Sequence, residues 1–249
     1  MSAFRGFPAR SYLEKYYSYV GDENAEMLGA ISAFARELRP AMGHVIEVGG
    51  GPSIVALLGL CSAVDETPGR ITFVDVAESN LAEIELWRRN AKESFDYSAV
   101  TTWLERETGG RVADAAAALR AATWEPLCLD LLTPAPPDLI GTFDTVSSHF
   151  FAESATGDEE ELLTLLHRTA SFGRKNSTLF LSFMRRSDGY RLDQLDFPAV
   201  AVDEVTLPSI LHRASVCLEP LLIRVAPVQD PPTRPGYEGM VFVAGRLRS

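Results

Sequence analysis

A chain of 249 residues, 46% hydrophobic and 23% charged, has the length of one large α/β domain and enough apolar material for a full core, which excludes disordered and fibrous classes. Its 34 acidic against 23 basic residues give a formal charge of −11, and a surface of that sign repels phosphate backbones, so no nucleic-acid partner is expected. Cys61, Cys128 and Cys217 lie far apart with no metal-like or C-x-x-C spacing, and no stretch reads as a signal peptide or a membrane span. A cytoplasmic protein with free thiols and no metal site is the expectation.

Two helical pieces, 11–17 and 23–38, come first and cannot belong to a sheet; they read as an N-terminal cap over residues 1–40. Residues 44–48 (HVIEV) then read as a buried strand ending in glycines, followed by a helix over 52–63 with Pro52 in its first turn. A second strand over 70–75 precedes a helix over 79–91, and 98–122 is helical in two pieces broken at Gly109-Gly110. Strands are expected over 126–130, 142–147 and 178–184, with a helix over 158–171 between the last two and another over 203–214. The apolar runs 221–225 and 240–245 pair as a hairpin across a proline-rich loop over 226–236. Strands spaced by helices imply parallel crossovers, hence a doubly wound, mostly parallel seven-stranded sheet over 41–249 in a single 1–249 domain.

The sharpest local signal is Glu47-Val48-Gly49-Gly50-Gly51-Pro52-Ser53, between the first strand and its helix. Glycines there let the backbone turn tightly and approach a ligand, at the end of the sheet where open α/β folds bind one. A dinucleotide fingerprint would need glycine where Ile54 stands, and the lysine of a P-loop is missing. The turn resembles the first motif of class I methyltransferases, which cradles the amino-acid end of S-adenosylmethionine. Asp75, closing the second strand about 24 residues later, is placed to accept the two ribose hydroxyls.

The sequence further resembles the family of nicotinamide, phenylethanolamine and indolethylamine N-methyltransferases. The likeness runs through Pro8-Ala9-Arg10-Ser11-Tyr12-Leu13-Glu14-Lys15-Tyr16-Tyr17, the glycine turn to Ile54, Asp75 with Asn80-Leu81 and Glu83, Phe95-Asp96-Tyr97-Ser98, and Glu238-Gly239-Met240-Val241-Phe242. It implies a Rossmann-like fold and S-adenosyl-L-methionine as donor, with S-adenosyl-L-homocysteine as product. It also implies a donor site of Tyr12, Tyr17, Gly49, Gly50, Gly51, Ser53, Asp75, Asn80, Asp130, Leu131 and Ser148. Residues assigned by the same resemblance to the acceptor are Tyr16, His149, Phe150, Phe183, Arg185, Arg186 and Tyr190.

The acceptor side departs from the family. His149 follows the fourth strand, Phe183 stands where the nicotinamide enzyme has an aspartate, and Arg185 and Arg186 replace an acid that meets an amine. One guanidinium at the pocket mouth would grip an anionic small molecule; the competing reading is a solvated turn on an acidic protein. Methyl transfer to a small-molecule nitrogen is the expected reaction, in a monomer. Should the acceptor be a hydroxyl or thiol, His149 is the candidate catalytic base. A dinucleotide-dependent reductase and a donor-binding partner subunit without catalysis are the alternatives.

Overall fold

The structure, a computed structural model, describes residues 2–109, 111–227 and 237–248, so Gly110 and most of the expected 226–236 loop lie outside the described residues. Nine strands form among the described residues: β1 (His44–Val48), β2 (Arg70–Asp75), β3 (Thr123–Cys128), β4 (Phe143–His149), β5 (Gly173–Met184), β6 (Gly189–Leu192), β7 (Leu195–Pro198), β8 (Leu222–Pro227) and β9 (Gly239–Arg246). Seven of them make one sheet in the order β3-β2-β1-β4-β5-β9-β8. The first five are parallel, and β9 runs antiparallel to both β5 and β8. The doubly wound sheet is therefore the one expected. The connection reverses direction between β1 and β4, so their carboxyl ends flank the crevice in which such sheets bind ligands.

Eight α-helices among the described residues follow the same order: α1 (Ala9–Tyr17), α2 (Asp22–Leu38), α3 (Val55–Ala63), α4 (Glu78–Arg88), α5 (Ser98–Thr108), α6 (Val112–Ala121), α7 (Glu159–Ser171) and α8 (Leu207–Arg213). One apolar core joins α2, α3, α5 and α6 to a face of the sheet, and a second joins α7 and α8 to the other. Sequence explains the placement. The VALLGLCSA of α3 is apolar on every side and is buried on nearly every side, whereas α7 is amphipathic, with Glu159, Glu160 and Glu161 in its first turn. Asp158 caps α7 by accepting the Glu161 N–H at 3.0 Å.

Several boundaries move for physical reasons. The helix expected from Pro52 starts at Val55, because Pro52 belongs to the turn and its carbonyl accepts the Tyr97 hydroxyl at 3.2 Å. The third strand begins at Thr123, pairing with β2 along its whole length, and as an edge strand it tolerates Pro126. The helix expected from Asp203 starts at Leu207, since the Asp203 carboxylate accepts the Val205 and Thr206 N–H groups in a preceding turn. The β6–β7 hairpin, closed by Asp193-Gln194 with Asp193 at φ 53°, was not expected. The expected cap over 1–40 divides: α1 packs beside α4, while α2 lies on the sheet face with α3, β8 and β9. No helix among the described residues is long and apolar enough to cross a membrane.

Candidate active site

The turn after β1 is built by backbone conformation. Gly49 and Gly51 adopt φ 61° and 63°, and a Cβ on Gly49 would lie 2.1 Å from the Phe151 ring. The Gly51 N–H donates to Asp75 Oδ2 at 3.2 Å, while Asp75 Oδ1 accepts from Ala77 N at 2.8 Å and Asn80 Nδ2 at 3.1 Å. One carboxylate at the end of β2 thereby ties the glycine turn to the start of α4. Burial pushes its pKa up and these N–H groups pull it back. Beside it, Asn80 Oδ1 is buried without a hydrogen-bond partner.

Asp75 and Asn80 stand on the wall of a cavity of about 620 Å³, open solvent at its mouth included. Gly49, Gly50, Gly51, Val74, Val76, Leu129 and Leu131 line it from the sheet side, and Phe4, Phe7, Tyr12 and Tyr190 close it from above. A neighbouring cavity of about 590 Å³ shares Tyr12, Phe150, Ser154 and Tyr190 with the first and continues to Tyr16, Tyr17, Glu23, Asn24, Met184, Tyr237 and Met240. Ring contacts organise the shared wall: the Tyr12 and Tyr16 ring centroids lie 4.7 Å apart in a tilted pair, and Tyr190 stacks on Phe197 at 4.8 Å. Tyr17 is hydrogen-bonded to Tyr12 and Ser53.

Of the expected donor residues, Tyr12, Gly49, Gly50, Gly51, Asp75, Asn80 and Leu131 meet on the first cavity, and Tyr17 lies on the second. Ser53, Asp130 and Ser148 lie on neither wall and work from behind it. The Ser53 hydroxyl accepts from Val55 N at 3.1 Å, Asp130 Oδ1 from Leu132 N at 2.9 Å, and the Ser148 hydroxyl donates to the Val48 carbonyl at 2.9 Å. Asp130 shapes the loop that presents Leu129 and Leu131.

The acceptor expectations are corrected more heavily. Phe183 is 1% exposed in the second apolar core, and Met184, pointing to the opposite face of β5, takes the wall instead. Arg185 is bonded to both oxygens of Glu204 at 2.7 and 2.8 Å and to Glu238 at 2.9 Å; Arg186 is bonded to Asp203 at 2.9 Å and Glu238 at 3.1 Å. Neither guanidinium lines either of these cavities, so the argument for an anionic acceptor loses its basis. His149 is on the wall, but Nε2 lies 3.0 Å from the Ser147 hydroxyl and Nδ1 2.6 Å from that of Ser182. Burial depresses its pKa to about 3, and with both nitrogens engaged no lone pair is left to serve as a base. Phe150 and Tyr190 line both cavities, and Tyr16 lines the second.

Sequence reasoning missed Glu23, Asn24, Ser154, Tyr237 and Met240 on the wall, and Glu153 behind it. Glu153 is fully buried, one oxygen accepting from Met184 N at 2.9 Å and the other without a partner; burial raises its pKa to about 8. An acid set in the apolar run Phe150-Phe151-Ala152 was the available signal.

A family model described as the NNMT/PNMT/TEMT family matches residues 1–246. The human nicotinamide N-methyltransferase is 26% identical over 230 residues, covering 86% of this chain and 83% of that protein. The mouse phenylethanolamine N-methyltransferase is 27% identical over 215 residues, covering 81% and 72%. In fold, the chain is similar to the crystal structure of an S-adenosylmethionine-dependent methyltransferase from Clostridium acetobutylicum, with a TM-score of 0.58 at 10% identity, covering 97% of this chain and 98% of the other.

Proposed function

The chain belongs to the NNMT/PNMT/TEMT family and is an S-adenosylmethionine-dependent N-methyltransferase of small molecules, and within that activity we propose an aromatic acceptor whose nitrogen enters uncharged or as a cation. The observation carrying this reading is the second cavity: six aromatic side chains, one carboxylate and, among the described residues, no lysine or arginine. A flat ring stacks on such walls, and a nitrogen bearing positive charge is favoured by their π faces and by Glu23.

The donor half fits S-adenosylmethionine on its own features. Open space within 4 Å of the position a Gly51 side chain would take suits the amino-acid end, and the Asp75 carboxylate beside the orphaned Asn80 oxygen suits two ribose hydroxyls. Val74, Val76, Leu129 and Leu131 offer apolar surface to an adenine ring. When bound, the donor supplies a methyl group already activated on a sulfonium. The chain's own contribution is then positioning: Tyr12, Phe150 and Tyr190 line both halves, hold the two reactants against each other and exclude water. We take the whole 1–249 chain as one working unit, with α1 as the part that closes the donor in. A monomer in a reducing, cytoplasmic setting agrees with three free cysteines, Cys61 being buried with its thiol pushed up to about 12.

The test is S-adenosylhomocysteine production with three acceptor groups: arylalkylamines such as 2-phenylethylamine and tryptamine, ring nitrogens such as quinoline and nicotinamide, and carboxylates such as 4-hydroxybenzoate. Turnover with either of the first two groups is expected. Turnover confined to carboxylates or hydroxyls refutes the acceptor class, and binding of the donor without product in any arm favours the non-catalytic partner reading.

A further inference from the structure

Both halves of the cavity are walled by π faces and carboxylates and, among the described residues, by no lysine or arginine. A single wall residue is able to become a cation near neutrality: His149. Its surroundings come from three adjacent strands. Glu47 on β1 stands beside Ser147 on β4, and His149 stands beside Ser182 on β5. The two serine hydroxyls sit at 3.0 Å from Nε2 and 2.6 Å from Nδ1, and the Ser182 carbonyl accepts the Phe150 N–H at 2.8 Å. That last bond secures Phe150 at φ 53°, an uncommon conformation for an aromatic residue.

A neutral imidazole needs one donor and one acceptor, and two hydroxyls supply that pair for either tautomer. An imidazolium has two N–H groups and needs a counter-ion. The titratable groups around it are Tyr12 on α1, Asp75 on β2 and Tyr190 on β6, on the same cavity wall, and Glu47, which reaches it only through the Ser147 hydroxyl. No carboxylate is bonded to the ring, and His149 is 8% exposed.

We propose that His149 is a specificity-determining residue: set between Ser147 and Ser182 as a neutral ring, it keeps the cavity wall free of positive charge, so that the site favours the sulfonium donor over its thioether product. The inference rests on the N-methyl-transfer reading. In that reaction the S–CH3 bond breaks with its electron pair going to sulfur, the nitrogen lone pair forms the N–CH3 bond, and one positive charge passes from sulfur to nitrogen. A cation on the wall would oppose that charge at both ends of the transfer.

Calorimetric titration of the full chain with S-adenosylmethionine and S-adenosylhomocysteine tests it, in the wild type, His149→Gln and His149→Lys. At an effective dielectric of about 20, a unit charge about 8 Å away would weaken a cationic ligand roughly thirty-fold against a neutral one. The ratio of the two dissociation constants should therefore shift at least about ten-fold against the sulfonium in His149→Lys, and stay within about two-fold of wild type in His149→Gln. An unchanged ratio in His149→Lys, or equal loss of both ligands, overturns the proposal. The wild type gives a second reading should the lysine variant not fold. Its ratio should follow that of His149→Gln from about pH 5.5 to 8.5, because Glu47 and Glu153 titrate in both, and a shift against the sulfonium with a midpoint near about 6.5 in the wild type alone overturns the proposal. A wild type that binds neither ligand refutes the donor site itself, an outcome distinct from any change in ratio.

Discussion

Replacing Gly51 with alanine separates what the turn costs the fold from what it gives the donor. Gly51 holds φ 63°, and a Cβ built there meets nothing within 4 Å. The fold therefore loses only the left-handed penalty, about 1–2 kcal/mol, a fall in Tm of roughly 2–8 °C for a chain of this length. The added methyl group has the cavity in front of it, since Gly51 is part of the wall. A ligand seated against the turn must then retreat from it, and overpacking of that kind costs about 1–3 kcal/mol, or roughly five- to 150-fold in affinity. Calorimetry gives the Tm, and titration with S-adenosylhomocysteine gives the affinity. Gly49→Ala is the internal control for stability: its Cβ would lie 2.1 Å from the Phe151 ring, so it should destabilise more than Gly51→Ala. A Gly51→Ala protein with the expected Tm loss and a ligand affinity within about two-fold of wild type would show that the turn does not touch the donor.

Phe183→Ala should cost about 3–5 kcal/mol in urea denaturation, as for any fully buried aromatic, with no selective rise in acceptor KM. Arg185→Ala should lose about 1 kcal/mol, more at low salt, and leave acceptor KM unchanged, because it removes a partner of Glu204 and Glu238 and nothing from the wall; a raised KM would return the arginine to the site. Burial raises Glu153 from an ordinary 4.5 to about 8, so its contribution to stability is full below about pH 4.5 and is lost as pH rises through about 8. Glu153→Gln keeps an acceptor for the Met184 N–H and removes that titration. Its urea midpoint should decline less than that of wild type between about pH 5 and 9, and parallel declines would refute the buried acid.

The donor half was legible because its chemistry is local. Gly49, Gly51 and Asp75 come from one strand–helix–strand unit and Asn80 from the first turn of the helix after it, and their placement follows from backbone conformation and from a carboxylate at a strand end. Which of two neighbouring strand residues reaches the wall is set by the fold and not by the local pattern. Ser148 and His149 alternate across β4, and the choice between them is made by the Val48 carbonyl, which takes the Ser148 hydroxyl. Phe183 and Met184 alternate across β5 in the same way, and only the depth of the second core decides that the ring goes inward. Glu23, Tyr237 and Met240 reach the acceptor half from segments far apart in the chain, so no local pattern announces them.

The arginines show why composition misleads at a site and then explains it. With acids in excess, Arg185 and Arg186 find Asp203, Glu204 and Glu238 17 to 53 residues away, and no sequence window spans those pairs. The same excess governs cations elsewhere near the cavity: Arg10 pairs with Glu83 at 2.8 Å, and Arg191 on the hairpin with Asp196 at 2.6 Å. Held by carboxylates outside the wall, these guanidinium groups leave the interior to Asp75, Glu23 and the tyrosine faces. A carboxylate on the acceptor would meet like charge there without a partner, whereas the single positive charge that methyl transfer carries from sulfur to nitrogen is favoured along its whole path. An acidic composition, which at first only argues against nucleic acid, thus also sets the sign of the field in which the reaction runs.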